Sequence, residues 1–534
     1  PNEVTFTCIL KACGNTKAIE KGKQIHEEIV CRDMLEKNVV IGNALVDMYA
    51  KCGMLKKARQ VLEELPIRNI ISWSALIAGY AHCGLGHEAL SCFEDMKFEG
   101  IKADAFAFAC GLKACASIGD LERGREMHVN ILDEGFATDV AIGNMLVDMY
   151  SKCGALSEAR EAFDELHHKS IVSWTSLITG YAENGPCLEA LRCFEEMQSD
   201  GLSPNAAILS SVLRACGSIG CLEIGESIDV EVRKLGLLEK DVLLGNTLIR
   251  MYARCGALEK AQEVFEKIPV RNVVSWTALI SGYTEHGLGH KAVKCYKQMQ
   301  DEGLFPDVVT YICILKACGI IGSLKVGEDI DARVRKEGLL QKDVVIGNAL
   351  IDMYAKCGIL WKAHEVFDML PDRDEISWNA LIGGYSHLGE CENVFRIVKR
   401  MVDENKRPNL ITLVSVLNVC SHAGLTEEAH MLFDVFSKEH EITPTMEHYN
   451  CMIDLLIRAG QLENAIARIK EMPVAPNLVV WHTVMGACRK WGNSELATRA
   501  FEQALWTDDS DAGTYICMSN IYAGDGILQR DSTS

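Results

Sequence analysis

The sequence predicts an all-α fold, a superhelical solenoid of antiparallel helix–turn–helix repeats. Three observations predict it. One phrase occurs four times, as ISWSALIAGY at Ile71–Tyr80, VSWTSLITGY at Val172–Tyr181, VSWTALISGY at Val274–Tyr283 and ISWNALIGGY at Ile376–Tyr385. Its tryptophans, Trp73, Trp174, Trp276 and Trp378, stand 101, 102 and 102 residues apart, a period that marks an array of stacked units. The apolar residues fall at helical spacing: Trp276, Leu279, Ile280 and Tyr283 line one face, and Ala292, Val293, Tyr296 and Met299 line another. Gly287 and Gly289 break the pattern between these stripes, and Gly303 and Pro306 end the second.

Each period holds three related units. The first begins EVTFTCILKAC at Glu3 and returns at Ala105, Ala206, Val308 and Leu410. The second begins VVIGNALVDMYAKCG at Val39 and returns at Val140, Val242 and Val344. The third carries the tryptophan phrase and starts at Ile70, Ile171, Val273 and Glu375. The units are 35 or 36, then 31, then 35 residues long. Leu410–Thr445 and Met446–Asn477 keep the hairpin pattern but lose the phrases, and Leu478–Asp511 and 512–534 read as more divergent helical units. A hairpin of this size cannot bury both faces alone; stacking buries them and leaves one concave face. Pro1-Asn2 matches Pro204-Asn205 and Pro306-Asp307, so residues 1–2 are expected to end a preceding repeat. The terminal GILQRDSTS is expected to be a truncated or frayed end.

Composition narrows the function classes. A chain of 534 residues is too long for one ordinary core, unless each unit packs mainly on its neighbours. With 48% hydrophobic and 24% charged residues it is globular, and without an apolar run of membrane-spanning length it is expected to be soluble. The net charge, 54 − 74 = −20, disfavours nucleic-acid binding by bulk electrostatics but leaves room for a local basic track in a groove. Nine of the 23 cysteines recur with the repeat: Cys13, Cys115, Cys216, Cys318 and Cys420 in one register, and Cys52, Cys153, Cys255 and Cys357 in another. They are expected to be small packing residues of a chain in a reducing compartment. The sequence has no C-x-x-C, P-loop or G-x-S-x-G, and GLGHEA and GLGHKA read as interhelical turns. No cofactor is implied.

The unit lengths, and the absence of W-x-x-L-G-x-x-Y, set the chain apart from tetratricopeptide repeats. The phrases NALIDMYAKCG, VSWTALISGY and ILKACG, with lengths in that order, closely resemble plant pentatricopeptide-repeat proteins of the PLS subclass. On that resemblance, residues 3–477 are fourteen repeats in L-S-P triplets ending in an L2-S2 pair. Residues 478–511 then resemble an E1 motif and 512–534 a partial E2 motif. The resemblance implies single-stranded RNA binding with one base per repeat, selected by the fifth and last residues. Carried over, the second units give Asn43 with Asn69, Asn144 with Ser170, Asn246 with Asn272, and Asn348 with Asp374. The third units give Ser74 with Asp104, Thr175 with Asn205, Thr277 with Asp307, and Asn379 with Asn409, and the S2-like unit gives Asn450 with Asn477. The implied code assigns G to Ser or Thr with Asp, A to Thr with Asn, U to Asn with Asp, and a pyrimidine to Asn with Asn or Ser. The first units, with Thr7, Ala109, Ser210, Ile312 and Val414 at position five, are read as spacers. The implied target is N-Y-G-N-Y-A-N-Y-G-N-U-Y-N-Y.

Three assignments have structural alternatives. The fifth-position Asn of the second units would equally serve as a helix N-cap. The aliphatic second residues Val40, Ile71, Val172, Leu243, Val274, Val345 and Ile376 either sandwich bases, as the resemblance implies, or pack in the core; Ala141 is the weakest and Glu447 departs from the pattern. Lys51, Lys152, Arg254, Lys356 and Arg458, eight residues after the coding Asn, either follow the RNA backbone or are solvated surface cations.

Related editing factors end in a zinc deaminase domain. His26-Glu27-Glu28 matches H-x-E, but the C-x-x-C is missing, so no catalysis is assigned and a deaminase would act in trans or from a missing domain. The expected function is RNA site recognition for C-to-U editing in a mitochondrion or chloroplast, with an editing partner on the E-like tail. The alternatives are RNA stabilisation, splicing or processing, or a protein-binding scaffold of tetratricopeptide type.

Overall fold

The computed structural model describes residues 2–35, 38–136, 138–439 and 444–531. Pro1, assigned above to a preceding repeat, and the last three residues of the tail lie outside that set. Among the described residues the regular elements are helices, joined as antiparallel hairpins, with no strand. They form two compact units, Pro1–Arg271 and Asn272–Ser534. In the first unit, the first helices of successive hairpins begin at Glu3, Val39, Ile70, Ala105, Val140, Ile171, Ala206 and Val242. In the second they begin at Val273, Val308, Val344, Glu375, Leu410, Met446, Leu478 and Ala512. Repeat phrase and helix start therefore coincide.

Within each unit the first helices pack on the first helices before and after them, and second helices pack on first helices. This explains the composition of the phrases. The helix Val39–Lys51 has neighbours on several sides and buries Ile41, Ala44, Leu45, Met48 and Tyr49. Its hairpin partner Leu55–Glu64 buries a single stripe, Leu55, Ala58, Val61 and Leu62, and leaves the other face to water. The all-helical solenoid is thus built from an apolar inner layer and an amphipathic outer one.

The tryptophan phrase has two packing roles. Its indole is buried in all four copies. Trp73 donates Nε1 to Glu99 Oε2 at 3.1 Å, tying the first helix to the end of its hairpin. Trp174 and Trp378 instead meet Phe163 and Phe367 edge-on, with ring centroids 4.4 and 4.6 Å apart. The glycine before the tyrosine sets how closely neighbouring first helices approach. A Cβ on Gly180 would lie 2.6 Å from Ser151 Cβ, and one on Gly384 would lie 2.6 Å from Ala355 Cβ. Hairpins of the first-unit type turn on a left-handed residue, such as Gly119 (φ 71°) and Gly322 (φ 68°), but the first of them uses Lys17 at φ 53°.

Cys13, Cys115, Cys216, Cys318 and Cys420 are buried, and burial pushes the thiols of the last four up to about 12. Cys52, Cys153, Cys255 and Cys357 are half-buried, each Sγ lying 3.8–3.9 Å from the backbone carbonyl oxygen of a cysteine in the first register. His26 of the H-x-E match packs against Tyr49, with Nδ1 3.0 Å from the phenolic oxygen.

Candidate nucleic-acid interface

The fifth residue of each reading unit sits one turn into its first helix, on the inner layer. Asn43, Asn246, Asn348, Ser74 and Thr277 are buried, and Asn144, Thr175, Asn379 and Asn450 are half-buried. The capping alternative for these asparagines fails. The helices of the second units are capped by Asn38, Asp139, Asp241 and Asp343, whose side chains accept from N–H groups of the first turn.

Capping belongs instead to the last residues. Asn69, Asp104, Ser170, Asn205, Asn272, Asp307, Asp374, Asn409 and Asn477 are each the N-cap of the following first helix, with the side chain accepting from its first turn. A cap placed there lies beside the fifth residue of the preceding helix. Asn205 caps through Oδ1 and donates Nδ2 to Thr175 Oγ1 at 3.2 Å. Asn348 donates Nδ2 to Asp374 Oδ1 at 3.0 Å, and Asn379 donates Nδ2 to Asn409 Oδ1 at 3.1 Å. Thr277 reaches Asp307 through Thr310, with oxygens 2.6 Å apart at each step. Other pairs leave polar atoms open: Ser74 Oγ and the Oδ1 atoms of Asn43, Asn144 and Asn450 are buried without a hydrogen-bond partner. Such atoms carry a desolvation cost that an incoming polar ligand relieves. Asn246 and Asn272 belong to different units of the chain.

The second residues are not core. Val40, Ile71, Val172, Leu243, Val274, Val345 and Ile376 are all exposed, between 43% and 67% of their surface, as are Ala141 and Glu447. The packing alternative is overturned at every one. Val4, Phe106, Val309, Ile411 and Val479 hold the same register in other units and are also exposed. Their shared second place after each helix start was the signal for them in the sequence.

These positions converge in the second unit of the chain. An open cleft of about 490 Å³ is lined by four successive repeats. Its walls carry the exposed aliphatics Val345, Ile376 and Ile411, the polar fifth residues Asn348 and Asn379, and the cap Asn409. Ile312, Lys316, Asp352 and Glu375 complete the lining with Ala349 and Ala380. Apolar walls with a few fixed polar groups suit a planar ring presented edge-on.

Residues 68–117, 169–218 and 271–319 match the PPR repeat family. Residues 43–70, 144–171, 246–273, 348–374, 376–405 and 447–475 match the PPR repeat, and 396–459 the pentatricopeptide repeat domain. A mitochondrial pentatricopeptide repeat-containing protein of Arabidopsis thaliana is 34% identical over 98% of this chain and 76% of its own length. The chain belongs to the pentatricopeptide-repeat family. A chloroplastic Arabidopsis member is 36% identical over 98% of the chain and 60% of its own length. The fold is that of the maize pentatricopeptide repeat protein PPR10 in complex with an 18-nucleotide psaJ RNA element (TM-score 0.61, 19% identity, 98% of this chain and 83% of that one).

The cations of this pentatricopeptide-repeat chain do not form the free row that their spacing suggests. Lys51, Lys152, Lys356 and Arg458 are each bridged to an aspartate one turn earlier, Asp47, Asp148, Asp352 and Asp454, at 2.7–2.8 Å. Arg254 differs: Arg250 stands one turn before it, and its Nη1 donates to Ser218 Oγ at 3.4 Å. The cation that lines the cleft is Lys316, the ninth residue of a first unit. Lys11, Lys113 and Arg214 share its register; Lys11 is exposed, Lys113 lies 2.7 Å from His82 Nδ1, and Arg214 is bridged to Glu183. The units read as spacers thus contribute a basic position to the same layer. Among the described residues, no group of three or more His, Cys, Asp or Glu side chains could hold a metal ion, and no helix is long and apolar enough to cross a membrane.

Proposed function

We propose that this protein binds single-stranded RNA sequence-specifically in a mitochondrion or chloroplast. Each reading repeat selects one base through its fifth and last residues. The observation that carries this reading is the cleft, where second, fifth and last residues of adjacent repeats meet. The cap fixes the last residue's side chain against the helix, and a preorganised edge discriminates between bases more sharply than a mobile one. The exposed aliphatic second residues supply flat apolar surfaces on either side of a base. The backbone passes Lys316, Arg254 and the aspartate-paired Lys51, Lys152, Lys356 and Arg458, so that phosphate competes with the aspartates for the last four. Titration with N-Y-G-N-Y-A-N-Y-G-N-U-Y-N-Y RNA, and with its G and A positions exchanged, tests the register. Equal affinity for both RNAs rejects it.

The finer reading is an editing adaptor. The L-S-P order of unit lengths, the L2-S2-like pair and the E1- and E2-like units after residue 477 support it. In this reading the last repeat places a cytidine a few nucleotides 3′ of its own base, and a partner protein bearing a deaminase docks on the tail. Sequencing of organellar transcripts from plants lacking the protein is the test. Loss of conversion at a cytidine downstream of the target supports editing; altered transcript ends or abundance with intact conversion supports processing instead. Absence of any protected RNA footprint would favour a protein-binding scaffold.

A further inference from the structure

Away from the base-reading positions, the outer layer carries an ion pair that recurs at one place in the repeat. It joins residue 21 of a first unit to residue 19 of the second unit that follows. Arg125 pairs there with Glu158, Glu226 with Lys260 at 2.5 Å, and Glu328 with Lys362 at 2.5 Å. Each pair ties the second helices of two adjacent hairpins together across the groove between them.

The first triplet breaks the pattern. Lys23 and Lys57 occupy the two places, so both sides are cationic. Each is held only within its own helix, Lys23 by Glu20 at 2.9 Å and Lys57 by Gln60 at 3.0 Å. Between them lies a cleft of about 430 Å³, lined also by His26, Glu27, Val30, Cys31, Tyr49 and Met54. His26 is 8% exposed, and its Nδ1 faces Tyr49 OH at 3.0 Å while its Nε2 is buried with no partner. Burial and the charge of Lys57 lower the pKa of His26, so the ring is neutral near pH 7. Tyr49 engages only Nδ1, so Nε2 is a polar atom without a partner in a residue that lines the cleft.

We infer that this cleft binds a small aliphatic monocarboxylate, which supplies from outside the carboxylate that a glutamate supplies in the other three triplets. Lys23 and Lys57 present two ammonium groups against Glu27 in the lining, and the bound carboxylate takes the place of Glu20 on Lys23. Val30, Met54 and Cys31 receive the hydrocarbon end. The charged groups of the site lie on second helices, and the site does not depend on the RNA-binding reading.

Hexanoate is the probe, titrated into the full chain by isothermal calorimetry with saturation-transfer NMR. One saturable site is expected, with the methylene protons in contact with protein and with neither hexanol nor inorganic phosphate displacing the acid. Lys57→Glu installs the ion pair of the other triplets and is expected to weaken hexanoate about tenfold or more without lowering the melting temperature. Lys23→Gln, which removes one ammonium group without adding a charge, is expected to weaken it severalfold. No saturable binding, binding unchanged in both variants, or equal displacement by phosphate overturns the assignment. So does binding of an acidic peptide where hexanoate does not bind.

Discussion

Asn348 and Asp374 form one polar unit: Asn348 donates Nδ2 to Asp374 Oδ1 at 3.0 Å and accepts Ser377 Oγ at 2.6 Å. The same Asp374 oxygen accepts the Ser377 N–H at 2.8 Å, so the residue assigned to base selection also starts the helix Glu375–His387. Replacing Asp374 by Asn keeps the cap, since the two residues cap almost equally, and the capping contribution alone should change by less than about 0.5 kcal/mol. It exchanges a carboxylate oxygen for an amide donor at the edge of the cleft. By the implied code the preference at that base moves from U toward C. The expected shift is roughly tenfold in the ratio of affinities, within the usual worth of one base contact. Competition titrations with RNAs differing at that one base measure it; an unchanged ratio together with unchanged affinity would exclude Asp374 from readout.

The same carboxylate gives a pH dependence with a definite sign. Burial opposes ionisation of Asp374, but donation from the Ser377 N–H and hydroxyl and from the Asn348 amide outweighs it and holds the pKa below the ordinary aspartate value. The folded state therefore binds fewer protons there than the unfolded chain. The stabilisation is complete above the unfolded pKa and is lost as pH falls through the folded one. Melting temperatures of wild type and Asp374→Asn, taken from neutral pH into the acidic range, should converge on acidification. Parallel curves would show that the interaction contributes nothing linked to protonation.

The period and the phrase were enough to read the helical solenoid, because each apolar stripe had to meet a neighbour. The capping alternative for Asn43 has a local reason: it stands between the apolar runs VVIG and ALV and looks like a boundary, whereas Asn38 opens the helix. The lysine row was over-read although the correction was visible in the phrase, since DMYAK places Asp47 one turn before Lys51. Lys316 was visible as a residue but not as part of the site. Its place in the cleft follows from how four first helices stack, which no single unit encodes.

Lys316 and Lys356 should therefore behave differently. Lys316 lines the cleft, while Lys356 is held by Asp352 at 2.7 Å. Lys316→Glu is expected to weaken RNA binding uniformly across sequences and to lower the slope of log affinity against log salt by about 0.7, the value for one phosphate contact on a single strand. Lys356→Glu sets two carboxylates one turn apart, and like charges at that spacing cost the helix only about 0.2–0.5 kcal/mol. Its salt slope should change less. Fluorescence anisotropy at several salt concentrations separates the two, and identical slopes for both variants would contradict this ranking.

Lys17 offers a stabilising substitution. It holds φ 53° at the end of the helix Glu3–Thr16, where the equivalent residues Gly119, Gly220, Gly322, Gly424 and Gly492 are glycine. A side chain in the left-handed region costs about 1 kcal/mol relative to glycine. Lys17→Gly is expected to recover that amount locally, seen as slower amide exchange in the first hairpin. Faster exchange there would mean that other contacts of Lys17 matter more than its backbone.

Gly384 tests whether helix spacing and site geometry are one property. It lies on the helix Glu375–His387 where that helix meets Val344–Lys356, and these two helices carry most of the cleft. An added Cβ would stand 2.6 Å from Ala355 Cβ and 3.5 Å from Ala355 Cα, so relief requires the helices to separate, because a methyl group on a short side chain cannot swing aside. Overpacking of this kind costs about 1–3 kcal/mol, offset in small part by the higher helix propensity of alanine. Moving the helices apart also widens the step between Val345 and Ile376, the flat surfaces proposed to hold a base. Gly384→Ala should therefore lower the melting temperature and weaken RNA binding, with the larger loss at the bases assigned to Asn348 and Asn379. A general loss of affinity at every position would assign the effect to unfolding alone. Unchanged binding in a destabilised but folded variant would separate helix spacing from readout.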